Sequence, residues 1–242
     1  MPEERKQTKR RLWRLLLVKI PVAFVALTVL WVLVLKWCPV VVTPLMIQRS
    51  IEFRADDSFK TRHKWVPLEK ISPEVAKAVI ASEDNLFETH NGFDTLAIRQ
   101  AREEVSTGKR KQMRGASTIS QQTAKNVFLL PTRSYVRKGL EAYFTFLIEK
   151  IWGKQRILEV YLNVIETGKG IYGVEASARQ FFDTTASGLG KRQSCLIAAC
   201  LPNPLKRDVT NPSSYVSSRA RQIAALEPKL KYPDWIYEMG KK

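Results

Sequence analysis

Cysteine and histidine are both scarce in this chain of 242 residues, and acidic side chains are heavily outnumbered by basic ones. Three cysteines, Cys38, Cys195 and Cys200, make an odd set without metal-ligand spacing, which argues against a disulfide framework. Cys195 and Cys200 stand in an apolar run and read as small buried residues. The two histidines, His63 and His90, lie far in sequence from any cysteine, which speaks against a zinc site. Internal repeats and low-complexity linkers are also lacking, so a single globular domain is expected after the N-terminal segment. With 23 Asp and Glu against 40 Lys and Arg, the formal charge is +17, which calls for an anionic partner: nucleic acid, lipid headgroups or a phosphorylated substrate. A hydrophobic content of 45% excludes a disordered polymer and supports a full core.

The N-terminus narrows the choice of anion. Arg5, Lys6, Lys9, Arg10, Arg11 and Arg14 precede an apolar segment, residues 15–35, long enough to cross a bilayer core. Lys19 can snorkel to headgroups, and Trp31 and Trp37 lie toward the far interface. The basic flank belongs in the cytoplasm, which places the remainder outside. A cleaved signal peptide is the competing reading, but no clear small-x-small site precedes Pro39, and the apolar stretch exceeds an ordinary signal core. Outside the cytoplasm nucleic acid is a poor partner, and lipid phosphates become the better one. The expected division is a basic tail at 1–14, a transmembrane helix at 15–37, a connector at 38–64, a globular domain at 65–226 and a tail at 227–242. Within the connector, residues 40–43 could pair as a short strand, and residues 60–70 form a basic stretch suited to headgroups.

The chemistry centres on residues 81–94. Ser72 as N-cap, Pro73 at the first helical position and Glu74 near the positive end of the dipole open a helix. Continued, it sets Val75, Val79 and Glu83 on one face, so a carboxylate projects from the side that buries valines. Desolvation there raises a glutamate pKa toward neutrality, as suits a general base. A solvated Glu83–Asp84 pair at a fraying helix end is the plainer alternative.

Two further stretches could serve such a base. Thr118, Gln122, Lys125 and Asn126 share one helix face of hydroxyl, amide and ammonium groups, fit for sugar hydroxyls and a phosphate, although a solvated polar face is the commoner fate of such a stripe. Arg137, Lys138 and Glu141 fall three and four residues apart, with Arg133 one turn earlier. A simple helical salt bridge would explain Arg137 with Glu141, whereas a phosphate clamp would explain why the cations gather. A charged loop with little to bury spans residues 108–115. Residues 142–152 are apolar nearly all round, residues 154–165 and 194–201 carry core stripes, and residues 212–226 read as a last amphipathic helix. The fold class is therefore mainly α.

EDNLFETHNGFD at 83–94, GASTISQQTAKN at 115–126 and RKGLE at 137–141, in this order, resemble the first three signature motifs of the peptidoglycan glycosyltransferases of glycosyltransferase family 51. RILEVYLN at 156–163 with GIYGVEA at 170–176, and LIAACLPNP at 196–204, resemble the fourth and fifth. The likeness covers roughly residues 65–211, and an ordered set of motifs is far more specific than one. No transpeptidase domain follows, so the chain resembles monofunctional members of the family.

The resemblance implies a lysozyme-like, two-lobed fold with head and jaw lobes, the jaw partly embedded in the membrane. It implies polymerisation of lipid II into β-1,4-linked glycan with inversion and release of undecaprenyl pyrophosphate. Glu83 would be the base and Glu141 the second carboxylate, near the donor pyrophosphate. Arg133, Arg137, Lys138 and Lys125 would neutralise phosphates, and Asp84, Phe87, His90, Ser117, Thr118, Gln121, Gln122 and Asn126 would complete the substrate site. No cofactor is required; a divalent cation such as Mg or Mn at Glu141 is compatible. Implied partners are lipid II, lipid-linked glycan, the membrane and the synthases of division or elongation, without nucleic acid, at the bacterial inner membrane with the domain in the periplasm. Gln193, Gln180 and Lys169 depart from the family pattern at positions that bear on packing. A lytic, lysozyme-like hydrolase and a silent membrane-tethered scaffold are the rival readings.

Overall fold

The computed structural model describes residues 15–108, 117–132 and 134–241, so the predicted 108–115 loop lies almost wholly outside the described residues. The chain divides into two compact units, Met1–Cys38 and Pro39–Lys242. In the first, a π-helical turn, Leu15–Lys19, leads into α1, Ile20–Leu35. Leu17–Leu35 is the one stretch among the described residues long and apolar enough to cross a bilayer, a test that a signal sequence also passes.

The second unit is mainly helical. Its helices are α2 (Pro44–Glu52), α3 (Pro73–Glu83), α4 (Thr95–Ser106), α5 (Ile119–Phe128) and α6 (Tyr135–Ile151). They continue with α7 (Lys154–Val164), α8 (Gly173–Phe182), α9 (Lys191–Cys200), α10 (Ser214–Leu226) and the single turn α11 (Asp234–Tyr237). Helix α3 packs against α9 and α10, while α5 packs against α6 and α7. Helix α3 starts as its sequence dictates. The Ser72 hydroxyl accepts from the Glu74 N–H at 3.3 Å, donates to the Leu189 carbonyl at 2.7 Å, and Pro73 follows. Val75 and Val79 on its inner face are fully buried, each contributing about 1.5–3 kcal/mol of apolar burial.

One expectation for the connector changes. Residues 40–43 join no strand among the described residues, and the chain then forms α2, because the Thr43 hydroxyl accepts from the Met46 N–H at 3.3 Å and Pro44 presets the first turn. The strand pairing comes later, from β1 (Arg62–His63), which runs parallel to β3 (Ile171–Tyr172); β3 runs antiparallel to β2 (Glu166–Gly168), in the order β1-β3-β2. Arg49 of α2 reaches β2 with two hydrogen bonds to Glu166, at 2.9 and 3.2 Å. At the next junction Gly173 has φ +78°, and a Cβ there would lie 2.3 Å from the Asn163 carbonyl oxygen, so no other residue fits without displacing backbone. Asn163 in turn exchanges two 2.9 Å hydrogen bonds with the backbone of Val66, fixing the end of α7 to the entry of the domain.

The apolar run at 142–152 fills the second half of α6 and its C-cap, Trp152, with Phe144, Leu147, Ile148 and Trp152 buried and Phe146 exposed. The C-terminal tail, uninformative as sequence, folds back along α3. Ile236 is fully buried, the Tyr232 hydroxyl donates to the Lys77 carbonyl, and the Gly240 N–H donates to the Glu69 carbonyl.

Candidate active site

Glu83 is the last residue of α3 and is only partly accessible. Gln122 of α5 donates from Nε2 to Glu83 Oε2 at 2.9 Å, and the Ser82 hydroxyl approaches Oε1 at 3.4 Å. The orientation of the Gln122 amide is set from behind, where the fully buried Tyr161 of α7 donates its hydroxyl to Gln122 Oε1 at 3.2 Å. A relay thus runs from Tyr161 through Gln122 to Glu83, each donor aimed at an acceptor. Burial pushes the Glu83 carboxyl above the ordinary glutamate range, opposed by the Gln122 and Ser82 hydrogen bonds and by the nearby charges of Arg219 and Arg207.

Its neighbour Asp84 is buried. His90 Nε2 lies 2.9 and 3.0 Å from the two Asp84 oxygens, and the Ile119 N–H at the first turn of α5 donates to Asp84 Oδ2 at 2.9 Å. Because His90 Nδ1 accepts from the Gly92 N–H at 3.0 Å, Nε2 is the nitrogen that donates. A carboxylate at the N-terminus of α5 suits the helix dipole. Gly92, at φ +87°, presents its carbonyl to the Thr118 hydroxyl at 2.7 Å, and a Cβ there would lie 2.7 Å from Thr145 Cγ2. Phe87 is fully buried beneath Lys154, whose ammonium sits 4.6 Å from the ring centroid and donates to the His90 carbonyl and to Glu149. Asp84, Phe87 and His90 therefore hold the 84–92 turn onto α5.

Thr118 and Gln121 are buried and close a capping box, the Thr118 hydroxyl accepting from the Gln121 N–H and the Gln121 side chain accepting from the Thr118 N–H, each at 3.1 Å. Ser117 is exposed beside it, and Asn126 is buried on the same helix. The expected polar face is thus split, with Gln122 and Lys125 partly accessible and Thr118 and Asn126 inside. Arg133 lies outside the described residues.

Lys125 is near the second carboxylate. Burial lowers its pKa below the ordinary lysine range; Glu141 opposes this, while Arg137 and Lys138 act with burial. Glu141 of α6 is buried and accepts from Arg137 Nη1 at 2.6 Å and from the Lys138 ammonium. Both of its oxygens meet cations, a donor set that does not fit a divalent cation. Among the described residues no group of three His, Cys, Asp or Glu side chains gathers as a metal cluster. The structure therefore brings Glu83 together with Gln122, and Glu141 together with Arg137, Lys138 and Lys125.

Sequence reasoning passed over Tyr161, Gly92, Arg207 and Arg219. Tyr161 read as one member of a core stripe; a tyrosine that deep needs a partner for its hydroxyl, but spacing does not say which. The Thr-x-x-Gln spacing of residues 118–121 was a legible capping-box signal. Gln193 takes a structural place, its Oε1 accepting from the Gly190 N–H at 2.9 Å to cap α9. Lys169 pairs with Asp56 over the Phe53 ring, and Gln180 is exposed.

A mainly helical, lysozyme-like domain with a shielded glutamate at a helix end and a cation-bound carboxylate on a neighbouring element defines a glycosyl-transferring class. The chain belongs to the transglycosylase family, whose pattern it matches over residues 51–226. It is 56% identical over 204 residues to the biosynthetic peptidoglycan transglycosylase of Bacteroides thetaiotaomicron, covering 84% of this chain and 82% of that one. It is 52% identical over 220 residues to the protein of that description from Bdellovibrio bacteriovorus, covering 90% and 86%. With that from Caulobacter vibrioides it shares 50% over 214 residues, covering 88% and 90%.

Proposed function

We propose that this protein is a peptidoglycan glycosyltransferase that polymerises lipid II into glycan strands for the bacterial cell wall. Glu83 takes the proton from the 4-hydroxyl of the acceptor GlcNAc as that oxygen attacks the anomeric carbon of the lipid-linked donor. A C1–O4 bond forms on the face opposite the leaving group, the bond from C1 to the pyrophosphate breaks, and the configuration inverts to β-1,4. Undecaprenyl pyrophosphate departs with the bonding electron pair, and Glu83 later releases its proton to water. Lys125, Arg137 and Lys138 stabilise charge on the departing pyrophosphate, the electrostatic contribution that usually dominates such a step. Glu141 holds the two α6 cations in place. The N-terminal helix serves as a single anchor in the inner membrane, with residues 1–14 cytoplasmic and the domain of residues 65–226 in the periplasm.

The observation that carries this reading is the Gln122 hydrogen bond to Glu83: it holds the carboxyl in one direction, while burial raises that carboxyl above the ordinary glutamate range, as suits a general base. Incubation of the purified full chain with lipid II should give polymer and released undecaprenyl pyrophosphate, and Glu83→Gln should abolish both while leaving the melting temperature near that of the parent. Shortening of preformed glycan would establish the lytic reading instead, and failure to act on either substrate would leave a scaffold.

A further inference from the structure

Two arginines whose charges reach Glu83, Arg207 and Arg219, are absent from the motifs that drew attention to the site. Arg219 of α10 extends Nη2 to the carbonyl of Ser82, 3.3 Å away, in the last turn of α3. Arg207 donates from Nη1 to the carbonyl of Ala199, at 2.6 Å in the last turn of α9, and its guanidinium lies 4.9 Å from the Tyr215 ring centroid. Cations at helix C-termini are favourable in their own right, so a plain capping role would account for the hydrogen bonds. It would leave out the effect of their charge on the carboxylate next to Ser82. Both guanidiniums act through space on the Glu83 carboxylate, although neither forms an ion pair with it.

We propose that Arg219, supported by Arg207, is a positioning residue for Glu83: it clamps the helix end that carries the carboxylate and presents a fixed positive charge to its rear. This rests on Glu83 being the base. The other groups around that carboxylate do not replace the charge. Asp84 is engaged with His90, Gln122 of α5 supplies an amide, and Tyr161 of α7 donates its hydroxyl to that amide. On helix α9, Lys191 pairs with Glu227 and Arg192 is exposed, both in the first turn and away from Ala199, while burial pushes the thiols of Cys195 and Cys200 up to about 11; the C-terminal segment meets α3 near Lys77, where Tyr237 lies under the ammonium. Asp208, beside Arg207, is exposed and turned into its own loop by hydrogen bonds from Thr210 and Asn211. The rear charge on Glu83 therefore comes from the two arginines, which act against burial and favour the ionised base at the pH of the reaction.

The test is the pH profile of lipid II polymerisation by the full chain carrying Arg219→Gln, Arg219→Lys or Arg207→Gln. The acid limb of kcat/KM should move to higher pH in Arg219→Gln, so that several-fold more activity is lost on the acid side than on the plateau, while Arg219→Lys keeps the limb near its parental position. An unmoved limb in Arg219→Gln, or an equal displacement in Arg219→Lys, overturns the proposal, since a structural cap alone would lower the plateau and leave the limb in place. Should Arg219→Gln fail to give a cooperative thermal melt, Arg207→Gln carries the comparison, and an unmoved limb there is equally fatal. Wild-type turnover by Glu83→Gln would overturn both the base assignment and this inference; an inactive Glu83→Gln with unmoved arginine profiles overturns this inference alone.

Discussion

Gln122 is the most informative residue to change, because it touches Glu83 on one side and Tyr161 on the other. Gln122→Met keeps the volume and removes both hydrogen bonds. A hydrogen bond to a charged group is worth about 1.5–3 kcal/mol. Glu83 and Gln122 are each partly accessible, so water replaces some of the loss, and the lower end of that range applies. About 1.4 kcal/mol corresponds to roughly a tenfold fall in kcat/KM. The direction in pH follows from the donor: an N–H aimed at the carboxylate favours its charged form, so its removal raises the carboxyl pKa further and moves the acid limb upward. The same substitution leaves the buried Tyr161 hydroxyl without an acceptor, at a cost of roughly 1–3 kcal/mol of stability, with about 2–4 °C of melting temperature for each kcal/mol. Pairing it with Tyr161→Phe removes both partners and should restore much of the stability without restoring the rate. Polymerisation of lipid II followed across pH, beside thermal melts, separates the two effects. Recovery of the rate together with the stability in the double variant would show that Gln122 acts only as packing, and the relay would have to be abandoned.

Other expectations follow from the same geometry. The parent profile should be bell-shaped with both limbs drawn toward neutrality, since Glu83 must be ionised and its carboxyl is raised, while Lys125 must be protonated and its ammonium pKa is lowered; limbs at the ordinary glutamate and lysine positions would contradict this. Gly173→Ala forces a side chain into left-handed backbone and against the Asn163 carbonyl, and should cost more than about 2 kcal/mol, seen as a lowered urea midpoint with an unchanged slope. Asp84→Asn weakens the grip on the His90 ring and the Ile119 N–H, so it should lower stability by roughly 1–3 kcal/mol and activity with it, and an active variant of parental stability would remove the role given to the 84–92 turn.

The parts of the site legible in the sequence were those written in one helix. Ser72, Pro73 and the Val75–Val79–Glu83 spacing announce α3 and its carboxylate, and the Arg137, Lys138 and Glu141 spacing announces their contact, because intrahelical geometry follows from residue number alone. What could not be read depends on which elements meet. Tyr161 and Gln122 are 39 residues apart and Arg219 and Ser82 are 137 apart, and no periodicity encodes those approaches. The polar face of α5 was open to two readings for a related reason: hydroxyl and amide side chains suit a sugar and suit a helix start equally well, and Gly92 and Asp84 engage Thr118 and the first N–H of α5 in the helix start. The connector was misread where local capping by Thr43 and Pro44 prevailed over the β-propensity of the valines before it.

The two carboxylates assigned to the reaction differ in company more than in chemistry. Glu83 is touched by a neutral amide and a hydroxyl, with its cations set behind the helix end. Glu141 is touched by a guanidinium and an ammonium, and so is committed to neutralising and aligning them. On the proposed mechanism these environments fit the two roles: the carboxyl without a contact cation takes a proton and releases it, and the one with two holds the phosphate clamp together. Exchange of the surroundings, for example a lysine at position 122 beside Glu83, should convert the first kind of carboxylate into the second. Gln122→Lys is therefore expected to leave a folded protein in which Glu83 is ionised throughout the working pH range yet too weak a base to turn over lipid II; a rate equal to that of the parent would show that charge placement does not separate the two glutamates.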